Sequence, residues 1–545
     1  MPASFESIDP LTAGLDVLLV EDLRQQRLPA RALAAVLRQA GHTVQLAHFG
    51  PQLSDAGHDA RTIVAVAERL QPRLVLFSIL FANLVPQTLA LASALRRAGV
   101  GAHISMTGPL PSFAPAELLA ACPDLDSVLC GEAEASVATL AAALDDPGRW
   151  PSAPGLACRA PDGSILQAGN WPAQVTDLDS LPYPAYDGAL PSYRGHGFAT
   201  VEGSRGCYHA CSFCLPSAFY RKSGAPCYRL RSAHNLVDEI ATLYERGARL
   251  FLFDDEQFLP PEPFRGERIS QLERELVRRG LEIAFTIKCR PDDVEARLFQ
   301  QLQGMGLLRV YVGLESGCQA SLDLFRKGVT AERNLRALAA LDRLDIVADF
   351  YDLLFHPWST LESVAADIAF CQRAAPCIST PLRFSEIGVL PGTGLAARLR
   401  MEGRTDGEPW SQAYELADPR AEILRRLNRL VFVSSARWTR TERMLTESWY
   451  GLLLERRFEP RRFDESLTGT LKEAVIRLNR DCLAVWLSML EFARSGPIAD
   501  AGQVNATAAL WAERVNVGCM RAAAAAAELG LSASESQEME VAPSC

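Results

Sequence analysis

The chain has 545 residues and a mass of 59.5 kDa, enough for about three to four domains. Apolar residues make up 48% and charged residues 22%, a balance that buries several cores and excludes a disordered polymer. The formal net charge of −10 argues against broad binding to nucleic-acid phosphates. No apolar run approaches the roughly 20 residues of a membrane helix, and the first residues lack a secretory signal. We therefore expect a cytoplasmic protein with neither a nucleic-acid nor a membrane partner.

The first half of the chain predicts a parallel sheet. Residues 14–150 alternate five short apolar runs with helical patterns, which predicts a doubly wound, Rossmann-like α/β domain. Ligands of such sheets lie beyond the carboxyl ends of the strands. Residues 1–13, before the first strand, are expected to be disordered.

Three further regions and a tail follow. Residues 151–198 are rich in Pro, Gly and Asp and are interpreted as a linker with little regular structure. Residues 199–404 resume the alternation with about six βα units, which predicts a (βα)6 partial barrel. Residues 405–530 place apolar side chains at helical spacing and predict a mostly helical domain. The last residues, 531–545, have the composition of a disordered tail.

Three of the 14 cysteines are clustered. Cys207, Cys211 and Cys214 form a C-x3-C-x2-C spacing in the segment EGSRGCYHACSFC, directly after a predicted strand. Thiolates this close suit a shared metal centre. A structural zinc site needs a fourth ligand, for which Cys227 is a candidate, whereas an iron–sulfur cluster on three thiolates leaves one iron open. A non-enzymatic iron–sulfur or zinc protein is therefore one alternative.

This cysteine spacing, with Phe213 before the last cysteine, resembles the radical SAM superfamily. The resemblance implies a [4Fe–4S] cluster on the three cysteines, S-adenosylmethionine (SAM) on its open iron, and a flavodoxin- or ferredoxin-type one-electron reductant. It also implies a 5′-deoxyadenosyl radical that removes hydrogen from carbon. The segments LFLFDDEQF, KCRPDD, YVGLESG, RKGVT and VLPGTGL are similar to segments of that family. Together with the cysteine segment they assign SAM contacts to Phe213, Asp254, Asp255, Arg290, Glu315, Lys327, Pro391 and Gly392.

An α/β domain followed by a linker and such a barrel resembles the cobalamin-binding branch of the same superfamily. In that branch the corrinoid nucleotide tail runs beside the strand ends. The resemblance implies cobalamin contacts at Ser78, Leu80, Thr107, Gly108, Gly131 and Glu132. The D-x-H-x-x-G motif, which gives a histidine to cobalt in other cobalamin proteins, does not occur in the sequence. The lower cobalt face is therefore expected to meet a non-histidine side chain or water, near residues 80–83.

The combined resemblance implies a methyltransferase-like enzyme of EC class 2.1.1. Its substrate is expected to be a natural-product intermediate or a peptide, methylated on carbon by means of the radical and methylcobalamin. An alternative is a cobalamin-dependent radical SAM cyclase, or another rearranging enzyme, that transfers no methyl group. No residue pattern identifies a catalytic acid or base.

Overall fold

The computed structural model describes residues 14–22, 28–49, 60–160, 162–166, 169–224, 226–495 and 501–528. The two ends predicted to be disordered, 1–13 and 531–545, lie outside these ranges. Within them, every helix is too short or too polar to span a bilayer.

The N-terminal unit is built on five parallel strands, confirming the predicted α/β domain. They are β1 (Val17–Asp22), β2 (Val44–Phe49), β3 (Leu74–Ser78), β4 (His103–Thr107) and β5 (Ser127–Leu129). The helices are α1 (Leu28–Gln39), α2 (Ala60–Leu70), α3 (Val85–Arg97), α4 (Pro109–Phe113), α5 (Pro115–Ala121) and α6 (Glu134–Ala142). The strand order β2-β1-β3-β4-β5 is that of a doubly wound sheet.

Both faces of this sheet are buried. Along β1, Leu18 and Val20 belong to one apolar cluster, whereas Val17 and Leu19 belong to another on the opposite face. The alternation follows from the two-residue period of a strand. Burial on both faces explains why the strands are nearly continuous apolar runs.

Part of the expected linker extends this sheet instead. Strand β6 (Leu156–Arg159) pairs antiparallel with β5, and β7 (Ile165–Leu166) pairs antiparallel with β6. Both strands are short and stand among Pro and Gly residues, which is why the composition predicted irregular structure. The segment that follows contains a single turn of 3-10 helix, Leu178–Ser180.

The central unit is an open barrel of mostly parallel strands, as predicted. Its sheet has the order β15-β14-β13-β12-β9-β8, in which β8 (Ser192–Tyr193) is antiparallel to β9. The other strands are β9 (His196–Val201), β12 (Ala248–Phe253), β13 (Ala284–Cys289), β14 (Leu307–Val312) and β15 (Val347–Asp349), followed by the parallel pair β16 (Asp352–Phe355) and β17 (Phe384–Glu386). A two-stranded antiparallel pair, β10 (Ser204–Gly206) and β11 (Tyr228–Leu230), stands apart.

Several of the barrel helices begin where a side chain satisfies one of the first backbone amides. The barrel helices are α7 (Leu215–Lys222), α8 (Ala233–Glu245), α9 (Arg265–Arg278), α10 (Ala296–Met305), α11 (Gln319–Leu324), α12 (Ala331–Arg343), α13 (Leu361–Ala374) and α14 (Gly394–Met401). Ser232, Thr330 and Thr360 accept hydrogen bonds from amides of α8, α12 and α13, respectively. Such caps stabilise a helix start by about 1 kcal/mol.

The C-terminal unit is mostly helical, as predicted, but begins with a β-hairpin. The hairpin is formed by β18 (Asp406–Glu408) and β19 (Ser411–Ala413). The helices are α15 (Pro419–Asn428), a π-helical turn Arg429–Val433, α16 (Ala436–Phe458), α17 (Glu465–Arg494) and α18 (Ala501–Glu528). Trp410, in the hairpin turn, is only 5% exposed and belongs to an apolar cluster of the N-terminal unit.

Trp486 joins the C-terminal helices to the barrel. Its side chain is fully buried. Its ring centroid lies 5.9 Å from that of Phe432, in a stacked arrangement, and 4.9 Å from that of Phe384 on β17. Aromatic pairs at these distances add to the burial of their apolar surface.

We expect Trp486→Ala to lower the free energy of unfolding by about 3–5 kcal/mol, because a large cavity would remain. Urea unfolding followed by tryptophan fluorescence and circular dichroism measures this change. The neighbouring Leu487 is 43% exposed, so Leu487→Ala should change stability by no more than about 0.5 kcal/mol. Equal losses in both variants would contradict the anchoring role.

Candidate functional site

A cavity of about 610 Å³ lies between the two sheets, where the carboxyl ends of their strands face each other. The N-terminal unit contributes all the residues predicted to contact cobalamin, namely Ser78, Leu80, Thr107, Gly108, Gly131 and Glu132. The barrel contributes most of the predicted cluster and SAM residues, namely Cys207, Cys211, Phe213, Cys214, Asp254, Arg290, Glu315 and Lys327. Two binding sites that were predicted separately therefore share one space.

The other three predicted SAM residues do not line this cavity. Asp255 is fully buried and accepts hydrogen bonds from the Ser204 hydroxyl at 2.5 Å and the Gly203 amide at 3.1 Å. It thereby holds the backbone that leads into the cysteines. Pro391 is buried, and Gly392 lies against the ring of Phe113 in the N-terminal unit. These two residues pack at the seam between the units.

The cysteine loop, residues 207–214, is held in place by backbone hydrogen bonds. The Ser212 amide donates to the carbonyl of Phe325 at 2.9 Å. The carbonyl of Ser212 accepts from the amide of Leu395, at the start of α14, also at 2.9 Å. The loop is therefore fixed between two barrel segments, and its three thiols line the cavity wall.

The thiols and their surroundings fit an iron–sulfur cluster. Burial raises the pKa of Cys207 to about 11 and raises that of Cys214 further, so cluster binding must displace thiol protons. The Arg290 guanidinium donates a hydrogen bond to the Cys211 sulfur at 3.5 Å. In the described part of the chain, no three His, Cys, Asp or Glu side chains converge on one metal-ion position. The fit therefore rests on three soft donors along one wall.

Two ion pairs stand at the carboxyl ends of the barrel strands. Lys327 and Glu315 are 2.8 Å apart and buried, and Lys288 and Asp254 are 2.6 Å apart. Gly313 makes room for the first pair, because a Cβ atom there would lie 2.6 Å from Glu315 Oε1 and 2.9 Å from Lys327 Nζ. The cavity thus presents both signs of charge in fixed positions.

Sequence reasoning did not single out Glu256. It lines the cavity and accepts a hydrogen bond from the Gly206 amide, directly before Cys207, at 3.2 Å. Burial raises the pKa of Glu256 to about 7, although nearby Lys288 opposes the shift. The three consecutive acids in LFLFDDEQF were a sufficient signal for an acidic site, but the pattern did not show that Asp254 and Glu256 face the cavity and Asp255 does not.

Glu132 has a second role at the seam between the two units. Its carboxylate accepts hydrogen bonds from both terminal nitrogens of Arg229, at 2.5 and 2.9 Å. Beside it, Arg205 donates to Glu134 at 2.5 Å. All four side chains are buried. The carboxylate predicted to contact cobalamin is thus engaged in holding the two units together.

A buried carboxyl stabilises the backbone next to Glu315. One oxygen of Asp367 accepts from the Ser316 hydroxyl at 2.6 Å, the Gly317 amide at 2.6 Å and the Cys318 amide at 2.8 Å. Burial raises the pKa of Asp367 to about 7. Glu315 itself has a left-handed backbone, with φ of 68°, which is uncommon for a non-glycine residue. Asp367 therefore supports a strained turn at the cavity edge.

Two family models match this chain, one on each side of the cavity. The B12 binding domain model matches residues 18–141, and the Radical SAM superfamily model matches residues 201–368. Together with the fold and the shared cavity, they place the protein in the cobalamin-dependent radical SAM enzymes. The two models imply cobalamin and SAM as cofactors, and a solved structure of the methyltransferase TsrM from Kitasatospora setae contains cobalamin and a [4Fe–4S] cluster.

The chain is similar to proteins of differing activity. It is 25% identical over 63% of its length to an uncharacterized methyltransferase of Pyrococcus horikoshii, covering 75% of that protein. It is 28% identical to the hopanoid C-3 methylase of Methylococcus capsulatus, over 58% of each chain. It is 29% identical to the anaerobic magnesium-protoporphyrin IX monomethyl ester cyclase of Rubrivivax gelatinosus, over 44% of this chain and 43% of that one. The match thus leaves much of the last two relatives uncovered.

The fold is similar to that of an enzyme of known structure. OxsB with aqua-cobalamin and SAM bound superposes on 95% of this chain and 81% of its own, with a TM-score of 0.64 and 17% identity. This likeness includes the helical C-terminal unit, so the whole three-part architecture is shared.

We expect Asp367→Asn to flatten the pH dependence of stability. The folded pKa of about 7 lies above the ordinary value of 3.8, so the folded state binds the proton more tightly and stability falls as pH rises towards 7. Asparagine can accept the same hydrogen bonds without ionising. The variant should gain about 2–3 kcal/mol relative to wild type between pH 5 and pH 8, as measured by urea unfolding.

The control is Asp323→Asn, which changes an exposed acid on α11. It should follow the wild-type pH dependence. A parallel response of the Asp367 and Asp323 variants would exclude a special role for the buried carboxyl.

Proposed function

We propose that the protein is a C-methyltransferase that replaces a C–H bond of its substrate by C–CH3. The observation that carries this proposal is the single cavity in which the predicted cluster and cobalamin residues face each other. When bound, the cluster and SAM together would provide the means to remove a hydrogen atom from carbon, and cobalamin would provide the methyl group. Short-lived species are used efficiently when the reacting groups share one enclosed site.

On the barrel side, the charged residues would bind and orient SAM. Cys207, Cys211 and Cys214 hold the cluster in this proposal. Arg290 and Lys327 have the charge to bind a carboxylate, whereas Asp254, Glu256 and Glu315 have the charge to bind an amine. Phe213 supplies an apolar wall, and its ring packs 5.3 Å from that of Phe325.

On the opposite side, small residues leave room for the corrin ring. A Cβ atom on Gly108 would lie 2.1 Å from the carbonyl oxygen of Ile79, and its φ is +128°, so only glycine fits there. Ser78 and Thr107, which also line the cavity, carry short side chains. Among the described residues that line the cavity, the one histidine is His209, which belongs to the cysteine loop. We infer that residues 80–83 or water meet the lower face of cobalt.

The proposed substrate is a natural-product intermediate or a peptide, and the partner that supplies electrons is an external one-electron carrier. The described cysteines are all free thiols, in keeping with a reducing cytoplasm. A cyclase or other rearranging enzyme is the second candidate, which the similarity to the Rubrivivax gelatinosus cyclase favours.

Product analysis distinguishes the two candidates. Anaerobic protein loaded with cluster and cobalamin is incubated with SAM, dithionite and candidate substrates. For methyl transfer we expect a product heavier by one CH2, with one S-adenosylhomocysteine and one 5′-deoxyadenosine formed per product. Rearrangement yields 5′-deoxyadenosine without S-adenosylhomocysteine and without the added CH2. That result would rule out the methyltransferase and support the cyclase or rearranging enzyme.

The cluster assignment is tested by changing the three cysteines together. The variant Cys207→Ala/Cys211→Ala/Cys214→Ala should lose bound iron and all 5′-deoxyadenosine formation, because no thiolates remain on that wall. Iron content, visible absorbance and chromatography measure the losses. Cys227→Ala, at a nearby cysteine outside the cavity lining, should retain both properties. If the triple variant retained iron, the cluster would have to be bound by other residues.

A further inference from the structure

The cysteine loop has an inner and an outer face. Its three cysteines line the cavity, whereas Ala210 is exposed and is not among the cavity-lining residues. Ala210 is bonded directly to Cys211. The outer face therefore brings the protein surface within one residue of a proposed cluster ligand.

Cations border this outer face on one side. Arg221, at the exposed end of α7, donates to the carbonyls of Tyr208 and His209 at 3.1 and 2.9 Å. The next residue, Lys222, is also exposed, and its ammonium lies 4.7 Å from the ring centroid of Trp171. Neither cation is among the residues that line the cavity, and both are exposed.

A further cation follows the barrel residue to which the loop is hydrogen-bonded. Arg326 is exposed and follows Phe325, whose carbonyl accepts the hydrogen bond from Ser212. It does not line the cavity either. We call Ala210, Arg221, Lys222 and Arg326 the outer loop face.

Few of the described acids stand near these cations. Asp323, three residues before Arg326, is exposed, and its carboxylate accepts a hydrogen bond from the Gln319 side chain at 2.8 Å. Asp292 is 2.9 Å from Arg290, and Glu262 is 3.3 Å from Arg265, so each is balanced by its own cation. The chain as a whole carries a net charge of −10. The outer loop face is thus a local basic area on an acidic protein.

We propose that the outer loop face is the docking surface for an acidic one-electron carrier protein; the inference rests on the proposed cluster ligands. One electron passes from the reduced flavin or iron–sulfur centre of the carrier to the [4Fe–4S]2+ cluster, which becomes [4Fe–4S]1+. The carrier is oxidised by one electron, and no bond forms or breaks. Complementary charge raises the encounter rate, and redox encounters of this kind need only a small interface.

The test uses the full-length, cluster-loaded protein and reduced flavodoxin as the acidic carrier. The variant Lys222→Glu/Arg326→Glu reverses two charges and leaves Arg221, which holds the loop carbonyls, in place. Cluster reduction is followed by loss of visible absorbance at low ionic strength. We expect reduction by flavodoxin to slow by about tenfold or more, whereas reduction by dithionite stays within about twofold of wild type.

Arg461→Glu/Arg462→Glu makes the same change of charge at the far end of the barrel. Both residues are exposed and follow α16, whose Phe458 packs 4.7 Å from His196 at the start of β9. The cysteine loop lies beyond the opposite end of β9. This control should be reduced by flavodoxin at the wild-type rate. An unchanged rate in the first variant, or an equal loss in the control, would falsify the proposal.

A measurement on the wild-type protein keeps the test decisive if the variant does not fold. Reduction by flavodoxin should slow about tenfold between about 0.05 M and about 0.5 M salt, because exposed charges are screened. A rate independent of salt would overturn the docking surface. Product formation driven by dithionite tests the proposed function separately, since it needs no carrier protein.

Discussion

Buried ion pairs across the seam hold the ends of the two sheets face to face. Arg229 binds Glu132 with both terminal nitrogens, and Arg205 binds Glu134. Removing one partner of such a buried pair leaves an uncompensated charge and costs about 3–5 kcal/mol. Both units line the cavity, so these pairs help to hold its two walls in place.

The same arrangement of charge continues inside the cavity. Glu315 with Lys327, and Asp254 with Lys288, place opposite charges at the strand ends before any ligand is present. Asp367 holds the backbone that follows Glu315, and Gly313 leaves space for the first pair. Side chains that are positioned in advance need little rearrangement when a charged ligand binds.

Much of this architecture follows from local sequence patterns. The five strands of the N-terminal unit were apparent from short apolar runs, and parallel strands bring residues such as Ser78 and Thr107 to one edge. The cysteine spacing identified the loop that follows the first barrel strands. Each of these inferences depends on residues that are close in sequence or on a regular period.

The remaining features depend on contacts between distant segments. After a strand ends, neighbouring residues point in different directions, so the pattern could not show that Asp255 faces the core and Glu256 the cavity. Gly392 packs against Phe113, and Glu132 pairs with Arg229; no local pattern links either pair. Strand β6 has four residues and β7 has two, at or below the shortest run in which alternation is detectable.

The hairpin of β18 and β19 limits where molecules can enter or leave the cavity. Ser411 and Gln412 form part of the cavity wall, while Trp410 beside them is inserted into the apolar cluster of the N-terminal unit. Swinging the hairpin outward would expose that indole to water, at a cost of about 3 kcal/mol or more. The hairpin therefore behaves as a fixed wall, and molecules that enter or leave the cavity must pass another side.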